Sequence, residues 1–216
     1  MGLVRNPWRE FIAGGRGAPP AFLAVLLGTL GAGCLADTFW ELRPLVDGLR
    51  LSAAVWEHGE FWRLVTYGCV GWGGLSVWSL LQLVLVYWLS MEVIVWLRVK
   101  RARIVLLGGV AVSGCAAVVA QIVSDGAGGP VSAMPFWMMQ GQQVLVAIAL
   151  ASFATCNRHA TIAHTPFVLG LPLPVRWVVP LQMAYATAAF ASTRDIGGFV
   201  GIAVATVWGT RVGRAR

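Results

Sequence analysis

The sequence predicts an all-α integral membrane protein with six transmembrane helices and both termini in the cytoplasm. Of its 216 residues, 58% are hydrophobic and 12% are charged, whereas a soluble domain carries roughly 25% charged residues. Apolar segments alternate with short polar links, and most approach the ~20 residues that cross a bilayer. Basic residues collect in alternate links, as the positive-inside rule predicts for cytoplasmic segments.

The predicted membrane domain covers residues 21–212, between an N-terminal tail at 1–20 and a C-terminal tail at 213–216. The first apolar segment is expected to be retained, because no convincing signal-peptide cleavage site follows it. The first and last segments are short and rich in Gly and Ala, which suits close helix packing. The six segments run over about 21–36, 75–97, 104–123, 134–156, 175–191 and 196–212.

The distribution of basic residues supports this count. With the N-terminus in the cytosol, twelve of the 16 Lys and Arg residues fall in inside segments and four fall outside. The net charge of +7 therefore follows from membrane orientation, and membrane lipids are the expected surroundings. Nucleic acid is not an expected partner, because no basic run is interleaved with exposed polar surface. A bacterial cytoplasmic membrane and an organelle membrane both fit.

A long outer connection, residues 37–74, precedes the second predicted helix. Its mixture of apolar and charged residues is typical of a segment that lies in the membrane interface. The connection closes with the stretch Gly59–Tyr67, in which Arg63 lies between aromatic residues. Guanidinium groups and amphipathic rings are both stable at the headgroup level, so this stretch is predicted to anchor the connection there.

The run Glu60-Phe61-Trp62-Arg63-Leu64-Val65-Thr66 resembles the Trp-Arg motif that follows the first helix in the rhomboid superfamily. The resemblance extends to the acid in Met91-Glu92 and to the glycine-rich start of the sixth helix, Asp195–Gly201, and covers roughly residues 59–212. It implies a six-helix rhomboid-like bundle. It also implies structural roles for a set of motif residues: Glu60, Trp62, Arg63, Thr66, Glu92, Gly197, Gly198 and Gly201.

The resemblance also implies that the catalytic dyad of rhomboid proteases has been lost. Asp195 stands where the family has its catalytic histidine, and Ser132 lacks the Gly-x-Ser-Gly pattern of the nucleophile. A serine needs a neighbouring base to act as a nucleophile. The positions of two oxyanion-stabilising side chains align with Ser76 and Leu80. Residues 156–178 resemble the turn and helix entry of derlins, which are rhomboid relatives without the dyad.

We therefore expect a non-catalytic, rhomboid-like protein that binds transmembrane segments of client proteins for quality control, retention or assembly. Gln82, Gln140 and Gln143 are candidates for polar groups that face a client, although amides inside a membrane also serve as hydrogen bonds between helices. One alternative is a divergent intramembrane serine protease that uses Ser132, and another is a small transporter or a subunit of a membrane complex. No cofactor and no metal site are expected, because the four cysteines form no CxxC pair.

Three polar residues also have ordinary structural interpretations. Ser132, close to a predicted helix start, is a typical capping residue. Asp195 is predicted to form an interfacial ion pair with Arg194 and to complement the dipole of the sixth helix. Glu92 is predicted to pair with the basic link that follows the second helix, for example with Arg98.

Overall fold

Helices dominate the chain, as the sequence predicts. The structure, a computed structural model, describes residues 19–71, 74–129, 135–157, 161–162 and 173–214. The α-helices in this part are α1 (Ala21–Thr38), α2 (Arg43–Asp47), α3 (Ala54–Glu57), α4 (Arg63–Thr66), α5 (Val77–Arg103), α6 (Gly109–Gly126), α7 (Gln142–Cys156), α8 (Val178–Thr193) and α9 (Ile196–Arg214).

Short elements connect these helices. Single turns of 3-10 helix lie at Trp40–Leu42, Tyr67–Cys69, Trp137–Met139 and Val175–Trp177, and a π-helical turn, Ile104–Gly108, joins α5 to α6. Two strands of two residues each, β1 (Thr161–Ile162) and β2 (Leu173–Pro174), pair antiparallel in the link between α7 and α8. The sequence did not predict this pair, because two residues are too few for an alternating pattern to be recognised.

In the part of the chain that the structure describes, two helical stretches are long and apolar enough to cross a membrane, Ala21–Thr38 and Val77–Gly126. The second has 50 residues, and a straight α-helix of that length would extend about 75 Å at 1.5 Å per residue. The backbone of Arg98, with φ 63° and ψ 158°, interrupts it. The helical stretch is therefore interrupted close to the predicted link at 98–103. Only Arg98 is non-helical, however, and the residues that follow it continue as helix.

The fourth apolar segment begins its helix later than predicted. We expected a helix over about 134–156, whereas α7 begins at Gln142. Phe136 and Gly141 adopt φ values of 63° and 58°, which a right-handed helix does not accommodate. A Cβ at Gly141 would lie 2.6 Å from the Cα of Gly71, so only glycine fits here. The approach of the outer connection thus fixes the turn that precedes α7.

The helix α7 forms the centre of the fold. Most of its residues are buried, and it packs against α5 on one side and α9 on another. On the α5 side, the rings of Trp88 and Phe153 lie with their centroids 5.7 Å apart. The helix α9 also packs along α6, while α8 contacts α7 and α9. Because α5 and α8 both border α7 but make few contacts with each other, a cleft remains between them.

Candidate functional site

Arg63 holds the outer connection in a defined conformation. Its side chain is buried and forms an ion pair with Glu60 one turn earlier. The Nη1 group donates to the backbone carbonyls of Asp47 and Arg50, the latter over 2.8 Å. A guanidinium group has several N–H donors in one plane, so a single arginine can bind a carboxylate and two backbone carbonyls at the same time. Arg63 therefore closes the turn between α2 and α3.

Two further motif residues bind the same turn. The indole N–H of Trp62 donates to the carbonyl of Gly48 over 3.3 Å, and the Thr66 hydroxyl lies 3.0 Å from the carbonyl of Leu49. The Trp62 ring itself remains 54% exposed. Consecutive carbonyls from residue 47 to residue 50 thus lie within hydrogen-bond distance of three side chains of the Trp-Arg stretch. The single proton of the Thr66 hydroxyl is shared between the carbonyl of Leu49 and that of Trp62, which lies 3.1 Å away. The structure brings Trp62, Arg63 and Thr66 together on one backbone segment, and Glu60 joins them through its ion pair with Arg63.

A second arginine, which the sequence did not single out, ties this segment to α1. Arg50 Nη2 lies 2.9 Å from a carboxylate oxygen of Asp37 at the end of α1, and both side chains are buried. The same nitrogen donates to the carbonyl of Gly71 over 2.9 Å. Both ends of the outer connection therefore meet at one guanidinium. A charge pair so distant in sequence gives no local signal from which it could be predicted.

The stretch Gly59–Tyr67 packs against α6, the third predicted transmembrane helix. The buried phenol of Tyr67 donates to the carbonyl of Val110 in α6 over 2.7 Å, and burial raises the pKa of this phenol. A Cβ at Gly114 would lie 2.9 Å from the Tyr67 ring and from the carbonyl oxygen of Leu64. Glycine at that position allows the connection to lie directly on α6.

Gln140 fastens the outer connection and does not face the cleft. The Gln140 side chain is buried, and its amide both accepts from the N–H of Leu51 over 3.3 Å and donates to the carbonyl of Leu51 over 2.9 Å. The oxygen and the nitrogen of the amide are thus both hydrogen-bonded to one backbone residue, in the pattern by which neighbouring β-strands pair. The prediction that Gln140 is a client-facing polar group therefore does not fit its position, because its hydrogen-bonding capacity is used internally.

Asp195 joins the start of α9 to the turn before α7. Its fully buried carboxylate accepts from the N–H of Gly198 over 2.7 Å, as a helix N-cap does. It also accepts from the N–H groups of Phe136 and Met138, over 2.9 and 3.3 Å. Within the described part of the chain, no ion pair joins Asp195 to the exposed Arg194. The predicted ion pair is replaced by backbone hydrogen bonds, while the predicted location at a helix start is confirmed.

The three motif glycines of α9 lie where neighbouring groups approach closely. A Cβ at Gly197 would lie 2.6 Å from the ring of Phe136. A Cβ at Gly198 would overlap the Asp195 carboxylate, and one at Gly201 would overlap the sulfur of Met139. The glycine pattern therefore permits the turn at 136–139 to pack against α9, which is what brings its N–H groups to Asp195.

The cleft between α5 and α8 contains the other two predicted glutamines. It has a volume of about 240 Å³. Gln82 on α5 and Gln143 on α7 line it together with Gln182 on α8, and apolar side chains form most of the remaining wall. Trp78 and Tyr185, 66% and 62% exposed, stand on opposite sides of the lining, one on α5 and one on α8. An apolar cleft with a few amides is suited to a largely apolar guest.

The remaining predicted residues occupy structural positions or lie outside the described residues. Ser132, the candidate nucleophile, belongs to the second group. Ser76 forms a capping box with Ser79 at the start of α5, which uses its hydroxyl locally. Leu80 is 49% exposed, and Glu92 is buried within α5.

The described residues contain no group of three or more His, Cys, Asp or Glu side chains arranged to hold a metal ion. Comparisons of the chain with protein-family models, curated proteins and solved structures found no match.

Proposed function

We propose that this chain is a six-span, rhomboid-like membrane protein without protease activity, and that it binds transmembrane segments of other proteins in the cleft between α5 and α8. The observation that carries the proposal is this cleft. It is bordered by two helices that make few contacts with each other, and it combines apolar walls with three glutamine side chains.

Exposed apolar side chains support insertion in a membrane. Large hydrophobic residues are exposed on the outer faces of several long helices, including Val25 on α1, Val77 and Val95 on α5, and Val123 on α6, all 64% exposed or more. Soluble monomers seldom expose apolar surface so widely. The outer connection adds Phe39, Trp40, Leu45 and Phe61, each at least half exposed, as an interfacial segment would.

The proposed six spans account for the helices as follows. Interruption at Arg98 divides the 50-residue stretch into two parts, each near the length that crosses a ~30 Å hydrocarbon core. Adding α1, α7, α8 and α9 gives six.

Cysteine labelling tests the orientation of these spans. A cysteine introduced at Ala127 should react with an impermeant maleimide in intact cells, whereas a cysteine introduced at Lys100 should react only after lysis. The reverse pattern contradicts cytoplasmic termini.

The environment of Asp195 supports the absence of protease activity. Its carboxylate is buried and already accepts three backbone N–H groups. A general base must be within hydrogen-bond reach of the proton that it removes, and Asp195 exposes no surface to a substrate. We expect that a fluorophosphonate probe does not label Ser132 and that Ser132→Ala leaves a transmembrane reporter uncut, as the parent protein does. Cleavage that depends on Ser132 would establish the protease alternative.

The size of the cleft supports a protein guest. At about 240 Å³ it is smaller than the ~300–1,000 Å³ of typical small-molecule pockets, and it suits side chains that project from a docked helix. The test is photo-crosslinking in phosphatidylcholine–phosphatidylglycerol vesicles that contain a model leucine–alanine transmembrane helix. A benzophenone amino acid at Tyr185 should capture the model helix well above the same probe at Val25 on α1. Equal capture at both positions contradicts docking in the cleft.

A further inference from the structure

The end of α9 lies beside the π-helical turn that joins α5 to α6. The indole N–H of Trp208 donates to the carbonyl of Val105 over 3.0 Å, and a Cβ at Gly109 would lie 2.9 Å from the Trp208 ring. Nearer the start of α9, a Cβ at Gly201 would lie 3.2 Å from the Cβ of Ala117. Residue numbers therefore rise along α9 as they fall along α6, so these two helices run antiparallel.

This register brings a basic residue of α9 level with basic residues that follow the interruption at Arg98. Arg211 comes three residues after Trp208, or about 4.5 Å further along the helix axis, and therefore lies close to the level of Arg103. Lys100 lies one turn before the π-helical turn. The side chains of Lys100, Arg103 and Arg211 are exposed, and none of them forms an ion pair within the described ranges.

Acidic side chains are concentrated at the opposite end of the helices. In the part of the chain that the structure describes, every Asp and Glu except Glu92 lies in or beside the outer connection, at the end of α6 or at the start of α9. Glu92 itself is buried within α5, more than two turns before Lys100. The exposed surface formed by Lys100, Arg103 and Arg211 is therefore positively charged, and it attracts an anionic partner.

Each of these three cations lies about one helical turn from an exposed apolar residue. The pairs are Lys100 with Ile104, Arg103 with Leu107, and Arg211 with Val207. Side chains four residues apart are neighbours on a helix surface. The apolar members are 61%, 41% and 50% exposed. In each pair the apolar residue lies nearer the middle of its span and the cation lies nearer the end of the span.

An amphiphile with an anionic headgroup matches this arrangement. Guanidinium groups form strong, charge-assisted hydrogen bonds with phosphate oxygens, while acyl chains cover apolar side chains that face the bilayer. A free phosphate ion would contact the cations alone and would leave the neighbouring apolar side chains uncovered. The pairing of charged and apolar residues on two adjacent helices therefore favours a phospholipid.

We propose that Lys100, Arg103 and Arg211 form a site for an anionic phospholipid of the cytoplasmic leaflet, whose acyl chains lie against the apolar neighbours of these residues. This inference rests on the membrane insertion and orientation proposed above. It does not depend on the docking of client helices in the cleft between α5 and α8.

The test uses the full chain in phosphatidylcholine vesicles that contain a small, fixed mole fraction of a lipid with a diazirine on its acyl chain. This lipid is phosphatidylglycerol in one preparation and phosphatidylcholine in the other. Mass spectrometry after illumination measures labelling of residues 99–107 and 205–212, and of Val25 on α1 as the reference. One cation near the membrane surface gives roughly a fivefold preference for anionic lipid. Labelling by phosphatidylglycerol should therefore exceed labelling by phosphatidylcholine about tenfold or more in the two segments, and should equal it at Val25.

Paired substitutions isolate the cations. Replacement of both Arg103→Gln and Arg211→Gln should lower the preference for phosphatidylglycerol by at least about fivefold. The matched control, Arg43→Gln with Arg194→Gln, removes the same charge from exposed arginines at the opposite end and should keep the parent preference. Arg103→Lys with Arg211→Lys retains the charge and should remain within about twofold of the parent.

The outcomes separate this site from the proposed function. Equal labelling by the two lipids in both segments, with normal labelling at Val25, overturns the lipid site and leaves membrane insertion and client docking intact. The site is also overturned if the paired Gln substitutions leave the preference unchanged, or if inorganic phosphate at the concentration of the labelled lipid abolishes it. Absence of acyl-chain labelling at every exposed apolar position, Val25 included, overturns membrane insertion and with it the proposed function.

Discussion

The carboxylate of Asp195 accepts a hydrogen bond from the backbone N–H of Phe136, over 2.9 Å and across 59 residues of sequence. This bond links the first turn of α9 to the turn that leads into α7, the most buried helix of the fold. The chain therefore uses an acid to fix two helices relative to each other, at the position where the rhomboid resemblance aligns a catalytic base.

We predict that Asp195→Ala lowers the free energy of unfolding by about 3 kcal/mol or more, because three buried N–H groups lose their acceptor. Asp195→Asn should lose about 1–2 kcal/mol, since its one oxygen can still serve Phe136 and Gly198 but its amide N–H₂ opposes the N–H of Met138. Unfolding in mixed micelles with increasing dodecyl sulfate measures both. Glu57→Gln, at an exposed carboxylate, is the control and should change stability by less than about 0.5 kcal/mol.

Replacement of Arg63 should loosen the outer connection more than it unfolds the bundle. Arg63→Ala removes the donor of two backbone carbonyls and leaves Glu60 without its ion-pair partner. We expect the free energy that holds the outer connection in place to fall by about 3 kcal/mol. Arg63→Lys should recover less than half of this, because an ammonium group cannot reproduce the planar fork. Limited proteolysis within residues 37–74 measures the effect, and unchanged cleavage in Arg63→Ala would show that the arginine does not hold this segment.

Tyr67 should make stability fall at alkaline pH. Burial raises the pKa of its phenol, so the folded chain keeps the proton that an unfolded chain releases near pH 10. The contribution of Tyr67 to the free energy of unfolding is thus complete below about pH 10. Above that pH it declines by up to roughly 1.4 kcal/mol per pH unit. Tyr67→Phe should lose about 1 kcal/mol at pH 8, through the bond to Val110, and should decline less steeply above pH 10. Parallel slopes for the two proteins between pH 9 and 11 would contradict this.

Close packing at the α9 glycines predicts a strong contrast among Gly→Ala substitutions. Gly197→Ala should lower the free energy of unfolding by about 2 kcal/mol, because its new methyl group would lie 2.6 Å from the rigid, buried ring of Phe136 and 3.1 Å from the backbone carbonyl oxygen of Ala117. Gly28→Ala in α1 should cause no loss, since a Cβ there meets nothing within 4 Å and alanine is the better helix former. The unfolding midpoints of the two variants make the comparison, and an equal shift would mean that helix propensity, not packing, governs both sites.

Much of the local structure could be read from the sequence because its causes are local. Apolar runs gave the helices, and Glu60, Trp62, Arg63 and Thr66 were recognised as one motif. The stretch from Gly59 to Tyr67 was predicted from its composition to anchor the connection at the membrane interface. Its hydrogen bonds to the backbone of residues 47–50 and of Val110 were not predicted, because those partners are distant in sequence. The start of α7 at Gln142 was not predicted, because it depends on the close approach of Gly141 to Gly71 in another part of the chain.

The sequence alone determined that this protein is mostly helical, that long apolar helices form, and that several glutamines must be accommodated among them. Only the tertiary structure decided what each polar group does. Gln140 pairs with the backbone of Leu51, Gln182 donates to the hydroxyl of Thr206 in the neighbouring helix, and Asp195 caps a helix and holds a distant turn. The physical reason is that hydropathy and backbone preference act between neighbours in sequence. A buried hydrogen bond, in contrast, needs a partner at about 3 Å, and helix packing alone brings that partner there.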